Sequence, residues 1–203
     1  MEARARDNAG EAAYYKNKVR GSAGIRQWIF STDHKRIGVL YLVSGLILFL
    51  SGAVRGFLMR LEFLTAGPTI MGPQTYNSMF TLHGVIMLFL FIIPAAPGVF
   101  GNFFLPILIG ANDVAFPRLN LLSWWLYMAG AALALGTLFF GAGPPDTGWT
   151  FYAPYSLLTG QDVSLAVFAV FVLGLSSVLT GINFIVTVHN MRAPGMGWFR
   201  MPL

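Results

Sequence analysis

One histidine, His83, lies within the apolar run FTLHGVIMLF at residues 80–89. An imidazole at membrane depth needs a partner and is a functional-site hypothesis by default. Neutral imidazole is a usual axial ligand of haem iron, and the adjacent Gly84 would leave room for a bulky flat group. The alternative is a packing histidine that is hydrogen-bonded to a neighbouring helix. The residue type alone leaves both interpretations open.

Two further sets of polar residues are candidates for proton transfer. One lies near the ends of two apolar stretches: Asn102, Asn112, Asp113, Asn120 and Ser123. Its acid, Asp113, could pass protons to bound water, or it could be an ordinary surface acid paired with Arg118. The other set recurs at intervals of four, three and four residues, which is one helical face: Ser176, Thr180, Asn183 and Thr187. That face could hold a file of waters or could join helices by hydrogen bonds.

The opposite ends of the apolar stretches carry a third candidate site. Arg60 could donate hydrogen bonds to a polar substituent of a cofactor, or it could be a snorkelling interfacial arginine. Trp149 and Tyr152, in the loop GPPDTGWTFYAPYS, could form an aromatic belt at the membrane surface. They could equally donate hydrogen bonds to the carboxylates of a cofactor.

Composition predicts that these residues lie in an integral membrane protein of the all-α class. The sequence has 203 residues, 56% hydrophobic and 10% charged, with a mean hydropathy of +0.65 and no cysteine. About 20 apolar residues span a bilayer, and four stretches qualify: about 37–59, 78–109, 119–140 and 163–188. The second is long enough that it must tilt, protrude or kink at Pro94, Pro97 or Pro106. Residues 1–24 are expected to be a polar extension, and residues 25–203 a membrane segment.

The distribution of positive charge predicts the orientation of the bundle. Eight of the 13 Lys and Arg residues precede the first predicted span, and Arg118, Arg192 and Arg200 lie on the same side. Because cytoplasmic loops are rich in Lys and Arg, both termini are expected in the cytoplasm. This topology explains the net charge of +5, so no nucleic-acid partner is inferred.

Six collinear motifs resemble a known family. They are STDHKRIGVLYL, MRLE, TLHGVIMLF, GNFFLPILIGANDVAFPRLN, GWTFYAPYS and SSVLTGINFIVTVHNMRAPGM. In this order they resemble the first third of subunit I of haem–copper oxygen reductases, and in particular the A-type cytochrome c oxidases. The resemblance covers about residues 25–203 and implies a polytopic helical bundle that forms part of a twelve-helix subunit.

The resemblance implies roles at each end of the spans. His83 matches the axial ligand of the low-spin haem, and Arg60 matches the arginine that bonds the formyl group of haem A. Trp149 and Tyr152 match the loop beneath the haem propionates, and Glu62 a possible ligand of a structural calcium or sodium ion. Asp113 matches the acid at the entrance of the D proton channel. The residues that match the lining of that channel are Asn102, Asn120, Asn183, Ser123, Ser176, Ser177 and Tyr41.

The resemblance further implies an enzyme that transfers electrons from cytochrome c to oxygen and pumps protons in a bacterial inner membrane. Oxidase subunits II and III and the lipid bilayer are its expected partners. The high-spin haem and the copper of that enzyme have their ligands on later helices, so the 203 residues alone are not expected to be active. Thr75, Ser78 and Arg55 replace a polar cluster of the quinol-oxidising relatives, which favours cytochrome c as the donor. A quinol oxidase and a non-catalytic truncated or split subunit acting as a scaffold remain the alternatives.

Overall fold

The computed structural model describes residues 24–202, and the described residues form helices and turns without a strand. The chain divides into two compact units, residues 1–31 and 32–203, each of which is described by itself. The described part of the first unit contains one short helix, Ile25–Ile29. The predicted polar extension, residues 1–24, lies outside the described residues except for Gly24.

The second unit confirms the four predicted spans. Span one is His34–Glu62, span two Pro73–Ile109, span three Pro117–Gly136 and span four Val163–Asn190. Two short helices flank span four: Tyr155–Leu158 precedes it and Trp198–Arg200 follows it. Asp33 and Asp162 cap the first turns of spans one and four, and the cap at Asp33 begins span one three residues before its apolar run. A carboxylate in this position accepts backbone N–H groups that have no partner within the helix.

Span two contains two π-helical segments, Ile86–Ile92 and Ala95–Gly101, between α-helical ends. The prolines lie at or within the second segment and in the last α-helical part, where they lack the N–H that a regular helix would bond. Along the span, residues at four-residue spacing face the bundle. Pro94 is half-buried, and the other positions of this series are buried: Leu82, Ile86, Leu90, Gly98, Asn102 and Pro106. An ideal helix of 3.6 residues per turn would rotate by about two-thirds of a turn over that length. The wider π turns therefore keep one face of span two directed at the bundle.

Glycines set the closest approaches between spans. A side chain at Gly52 of span one would meet Met87 at 2.9 Å, and one at Gly98 of span two would meet Tyr41 at 2.7 Å. Spans three and four meet at Gly130, where an added Cβ would lie 2.6 Å from Leu173 and 3.2 Å from the carbonyl of Ala169. Small residues let membrane helices approach each other closely. Because lipid tails are as apolar as the helix surfaces, van der Waals packing rather than the hydrophobic effect holds the helices together.

We expect Gly130→Ala to lower the stability of the purified protein by about 1–3 kcal/mol, because the added methyl group overpacks the contact with span four. Thermal unfolding in detergent measures the effect. Gly136→Ala is the matched control on the same span, since its Cβ would make only an ordinary contact with Phe140, at 3.5 Å. Equal effects of the two variants would contradict the packing argument.

Candidate functional site

His83 lies on span two with its imidazole ring against span one. Its Nδ1 is 2.9 Å from the backbone carbonyl of Gly52. Gly56 makes this approach possible, because an added Cβ there would lie 2.9 Å from Cε1 of His83. A carbonyl can only accept, so Nδ1 carries the proton and donates it, which leaves the lone pair of a neutral ring on Nε2. Among the described residues, Nε2 has no hydrogen-bond partner.

This arrangement fits a haem ligand. Histidines that bind metals commonly donate the other ring N–H to a carbonyl or carboxylate, which fixes the tautomer and the ring orientation. His83 meets that requirement within the part of the chain that the structure describes. The expected free space at Gly84 is not there, however, because an added Cβ would lie 3.0 Å from the Trp149 ring. The loop between spans three and four, here called the outer loop, carries Trp149 and occupies that side of the histidine's helix.

The loop that carries Trp149 is fixed to span two. The N–H of Gly148 donates to the hydroxyl of Thr81, two positions before His83, at 2.8 Å. The Trp149 ring packs edge-on against Phe89 with the ring centroids 6.2 Å apart. Tyr152, in contrast, is 79% exposed. The structure therefore places Trp149 next to the histidine's helix and leaves Tyr152 at the surface.

Arg60 and Glu62 end span one with different surroundings. Arg60 is exposed, and its side chain makes no hydrogen bond to any described residue. Glu62 is only 8% exposed. Its two oxygens accept the backbone N–H groups of Thr69, Ile70 and Met71 at 2.7, 2.9 and 3.0 Å. Glu62 thus holds the following loop, and no cluster of three metal-binding side chains forms within residues 24–202. Its predicted role in a structural ion site stays a prediction.

An acid that the motif analysis did not select, Asp146, anchors the outer loop. It is 5% exposed and accepts hydrogen bonds from Gln74 at the start of span two and from Tyr155 and Thr159 later in the loop. Burial opposes its ionisation, but the hydrogen bonds from Tyr155, Thr159 and Gln74 together lower the pKa of Asp146. In the sequence, only its position three residues before Trp149 indicated that Asp146 could belong to this site.

The second cluster begins at Asp113, which bonds to His34. Nδ1 of His34 is 3.0 Å from Oδ1 of Asp113, and this oxygen also accepts the N–H of Val114 at 2.7 Å. The carboxyl-bearing side chain is 37% exposed, whereas that of His34 is 5% exposed. The alternative pairing with Arg118 is not the one observed. His34 is the functional candidate that sequence reasoning missed, because 79 residues separate the two partners.

Four of the predicted channel residues form one buried hydrogen-bonded chain across three spans. Nδ2 of Asn120 donates to Oδ1 of Asn102, and the Ser123 hydroxyl donates to the carbonyl of Asn120. The hydroxyls of Tyr41 and Ser123 are 3.1 Å apart. Oδ1 of Asn120 is buried and has no partner among the described residues. A buried carbonyl oxygen of this kind is costly unless water or another donor reaches it.

The polar face of span four is buried against span three. Asn183 accepts the N–H of Phe116 at 2.8 Å, and Thr187 accepts that of Ala115 at 2.8 Å. The hydroxyl of Ser176 donates to the carbonyl of Ser123 at 2.6 Å. Asn183 and Thr187 therefore serve the start of span three, where backbone N–H groups have no partner in their own helix. The interpretation as interhelical hydrogen bonds fits these two residues.

A cavity of about 220 Å³ adjoins the polar chain at Tyr41. Apolar residues of spans two and four form part of its wall, and its polar lining consists of Tyr41, Tyr127, Ser176, Ser177 and Thr180. A water molecule occupies about 30 Å³ in the liquid, so several waters would fit. Ser177 is at the edge of this cavity and is exposed at the surface of the bundle. A file of waters would thus run beside Ser176 and Thr180, and it would not extend to Asn183 and Thr187 at the other end of the polar face.

The lowered pKa of Asp146 predicts an acid-dependent loss of stability. A carboxyl group whose folded-state pKa lies below its unfolded value stabilises the fold above the unfolded value, near 3.9. That contribution is lost as the pH falls through the folded-state pKa. We expect the thermal midpoint of wild type, measured from pH 7 to 3, to fall more steeply in the acid range than that of Asp146→Asn, which cannot titrate. Parallel curves would exclude this role.

The sequence was compared with known proteins. The family described as "Cytochrome C and Quinol oxidase polypeptide I" matches residues 36–203. Cytochrome c oxidase subunit 1 of Thermostichus vulcanus is 44% identical over 175 residues, which cover 86% of this chain and 31% of that protein. A putative cytochrome c oxidase subunit 1-beta of Streptomyces avermitilis is 43% identical over 182 residues, 88% of this chain and 32% of that protein.

A third relative gives the same result. The heme-copper oxidase subunit I+III of Aeropyrum pernix is 41% identical over 191 residues, covering 92% of this chain and 23% of that protein. The chain thus spans about a third or less of the length of these curated relatives. The family match covers residues 36–203, which include nearly all of the four membrane-spanning helices. The chain belongs to the cytochrome c and quinol oxidase polypeptide I family.

Proposed function

We propose that this chain is the N-terminal part of the catalytic subunit of a proton-pumping terminal oxidase. His83 is the observation that carries the proposal. Its Nδ1–H is held by the carbonyl of Gly52 while Nε2 stays available. In the complete enzyme Nε2 of His83 would hold the iron of a low-spin haem, which would supply one-electron transfer. Family membership places an oxidoreductase role first among the functions that such a histidine could serve.

Residues around His83 orient the same group in this proposal. Arg60 would donate hydrogen bonds to the formyl substituent of a haem A, and Trp149 and Tyr152 would donate to its propionates. Thr81 fixes the Trp149 loop through the N–H of Gly148. The Trp149 ring packs against Phe89, whereas Tyr152 is 79% exposed. Contacts from the remaining helices of the subunit would complete the site.

The second half of the proposal is a proton entrance at Asp113. The acid is partly exposed and bonded to the buried His34, so it can exchange protons with water on one side. Beyond it, the unpaired oxygen of Asn120 and the cavity bounded by Tyr41 and Ser176 offer acceptors and space for water. Asn102, Ser123, Asn183 and Ser177 belong to the lining or its support. His34 would hold the carboxyl group of Asp113 in position at this entrance.

The complete enzyme would draw electrons from cytochrome c and reduce oxygen to water at a high-spin haem and a copper ion. Their ligands would lie on the remaining helices, because this sequence has only three histidines. Oxidase subunits II and III would be its partners. By the distribution of Lys and Arg, Asp113 would face the cytoplasm and His83 the outer half of a bacterial inner membrane.

A quinol-oxidising enzyme is the second candidate, since the matching family includes both donors. Thr75, Ser78 and Arg55 favour cytochrome c. Oxygen consumption by the complete enzyme, with reduced cytochrome c compared with a reduced quinol analogue, separates the two. A scaffold without metals is the third candidate, and it requires that the native protein contain no haem.

We expect His83→Asn in the complete enzyme to abolish the absorption band of the low-spin haem, because an amide is a poor iron ligand. The band of the high-spin haem should remain, which shows that the variant assembles. His189→Asn is the matched control, since His189 is exposed and bonds to the carbonyl of Ile185 in its own helix. A low-spin band that survived in His83→Asn would overturn the assignment.

We expect Asp113→Asn to slow proton uptake by about a hundredfold, the lower end of what a positioned proton-transfer group contributes, with an unchanged haem spectrum. Single-turnover proton uptake with a pH-indicator dye measures it. Asp33→Ser is the control, because it removes an acid on the same side and keeps a residue that caps span one. Collapse of the haem spectrum in Asp113→Asn would instead assign Asp113 a structural role.

A further inference from the structure

Arg55 is a charged side chain far inside a membrane span. It lies seven residues, about 10 Å, from the end of span one at Glu62 and about 30 Å from its start. The other Lys, Arg, Asp and Glu residues of the four described spans lie within three residues of a span end. An ionisable residue at such depth is rare, and it normally faces the protein interior and pairs with another group.

The guanidinium group of Arg55 turns away from the near surface. Its Nη1 donates to the carbonyl and the hydroxyl of Ser51, at 2.9 and 2.6 Å, one turn deeper in the membrane. A snorkelling arginine would extend the other way, toward the headgroups. Nε of Arg55 is buried and has no partner among the described residues. The two acceptors of Ser51 are neutral, so the charge of Arg55 is uncompensated within residues 24–202.

The described spans hold no acid that could provide this compensation. Asp113 lies on the loop between spans two and three, and Asp146 and Asp162 lie beyond the end of span three. Glu62 uses both carboxylate oxygens on the loop that follows span one. A guanidinium at membrane depth is best matched by a carboxylate, which can accept its planar fork of donors through two oxygens.

We propose that Arg55 forms an intramembrane ion pair with an aspartate or glutamate on a transmembrane helix of the same protein that lies outside residues 1–203. The relatives, of which this chain covers about a third, have the additional length for such helices. The pair makes the flank of span one at Ser51 and Arg55 a docking surface for that helix. It is independent of haem binding and of the proton entrance.

Thermal unfolding of the complete protein in detergent tests the proposal. Arg55→Gln should lower the midpoint by several degrees, about 4 °C or more, because the partner carboxylate is left buried and unpaired. Arg55→Lys, which keeps the charge, should lose less. Val54→Leu is the matched control, since Val54 is the neighbouring exposed residue. A midpoint of Arg55→Gln equal to that of wild type would overturn the proposal.

A neutralisation scan identifies the partner. Each intramembrane Asp or Glu of the complete protein is changed to Asn or Gln, in wild type and in Arg55→Gln. The partner is the acid whose neutralisation lowers the midpoint in wild type and restores it in Arg55→Gln. If Arg55→Gln does not assemble, recovery of assembled protein in the double variant is the readout.

Three further outcomes contradict the proposed pair with an acid of the same polypeptide. The first is a scan in which no acid within the same polypeptide restores Arg55→Gln. The second is restoration only by an acid of another subunit, which would place the partner there. The third is a wild-type midpoint that falls on delipidation and returns only in nanodiscs containing phosphatidylglycerol, with Arg55→Gln insensitive to that lipid. That result would assign the guanidinium to a lipid phosphate.

Discussion

A bilayer offers no water to polar groups, so each buried donor and acceptor must find its partner within the protein. This constraint explains most of the interhelical contacts here. Asn183 and Thr187 of span four accept the N–H groups of the two residues that precede span three, and Ser176 donates to the carbonyl of Ser123. These bonds fix the register of spans three and four, and Gly130 then allows the two backbones to approach. Residues that look like a proton path are therefore also residues that hold the bundle together.

The same constraint gives the histidine its chemistry. The half-buried ring of His83 donates its Nδ1–H to the carbonyl of Gly52. Nε2 then has no partner among the described residues, which is the arrangement that the proposed haem ligand requires. Glycines 52 and 56 are required on span one for this contact, because a methyl group at either would displace a span-two side chain. Packing and ligand geometry thus depend on the same two residues.

Span two lets His83 and Asn102, at opposite ends of the bundle, both face the neighbouring spans. His83 lies near its outer end and Asn102 near its inner end, with both π-helical segments between them. Without the wider turns, the buried face would rotate by about two-thirds of a turn between Leu82 and Pro106. Asn102 would then leave the hydrogen bond with Asn120 if His83 stayed against span one. The prolines, which a regular helix tolerates poorly, favour these turns.

The sequence predicted what depends on composition and local pattern, and it missed what depends on distant backbone. Apolar length was enough for the number of spans and, within a few residues, for most of their ends. It placed the end of span three four residues too late, since Thr137–Phe140 form turns although they are apolar or small. It could not supply the acceptor of His83, which is a carbonyl 31 residues away, or the partner of Asp113, which is 79 residues away. Nor could periodicity of 3.6 residues describe span two. A backbone carbonyl has no residue type to recognise, and a π turn alters the phase that periodicity relies on. Both kinds of feature lie where the proposed chemistry is, because local regularity is relaxed there to aim a side chain.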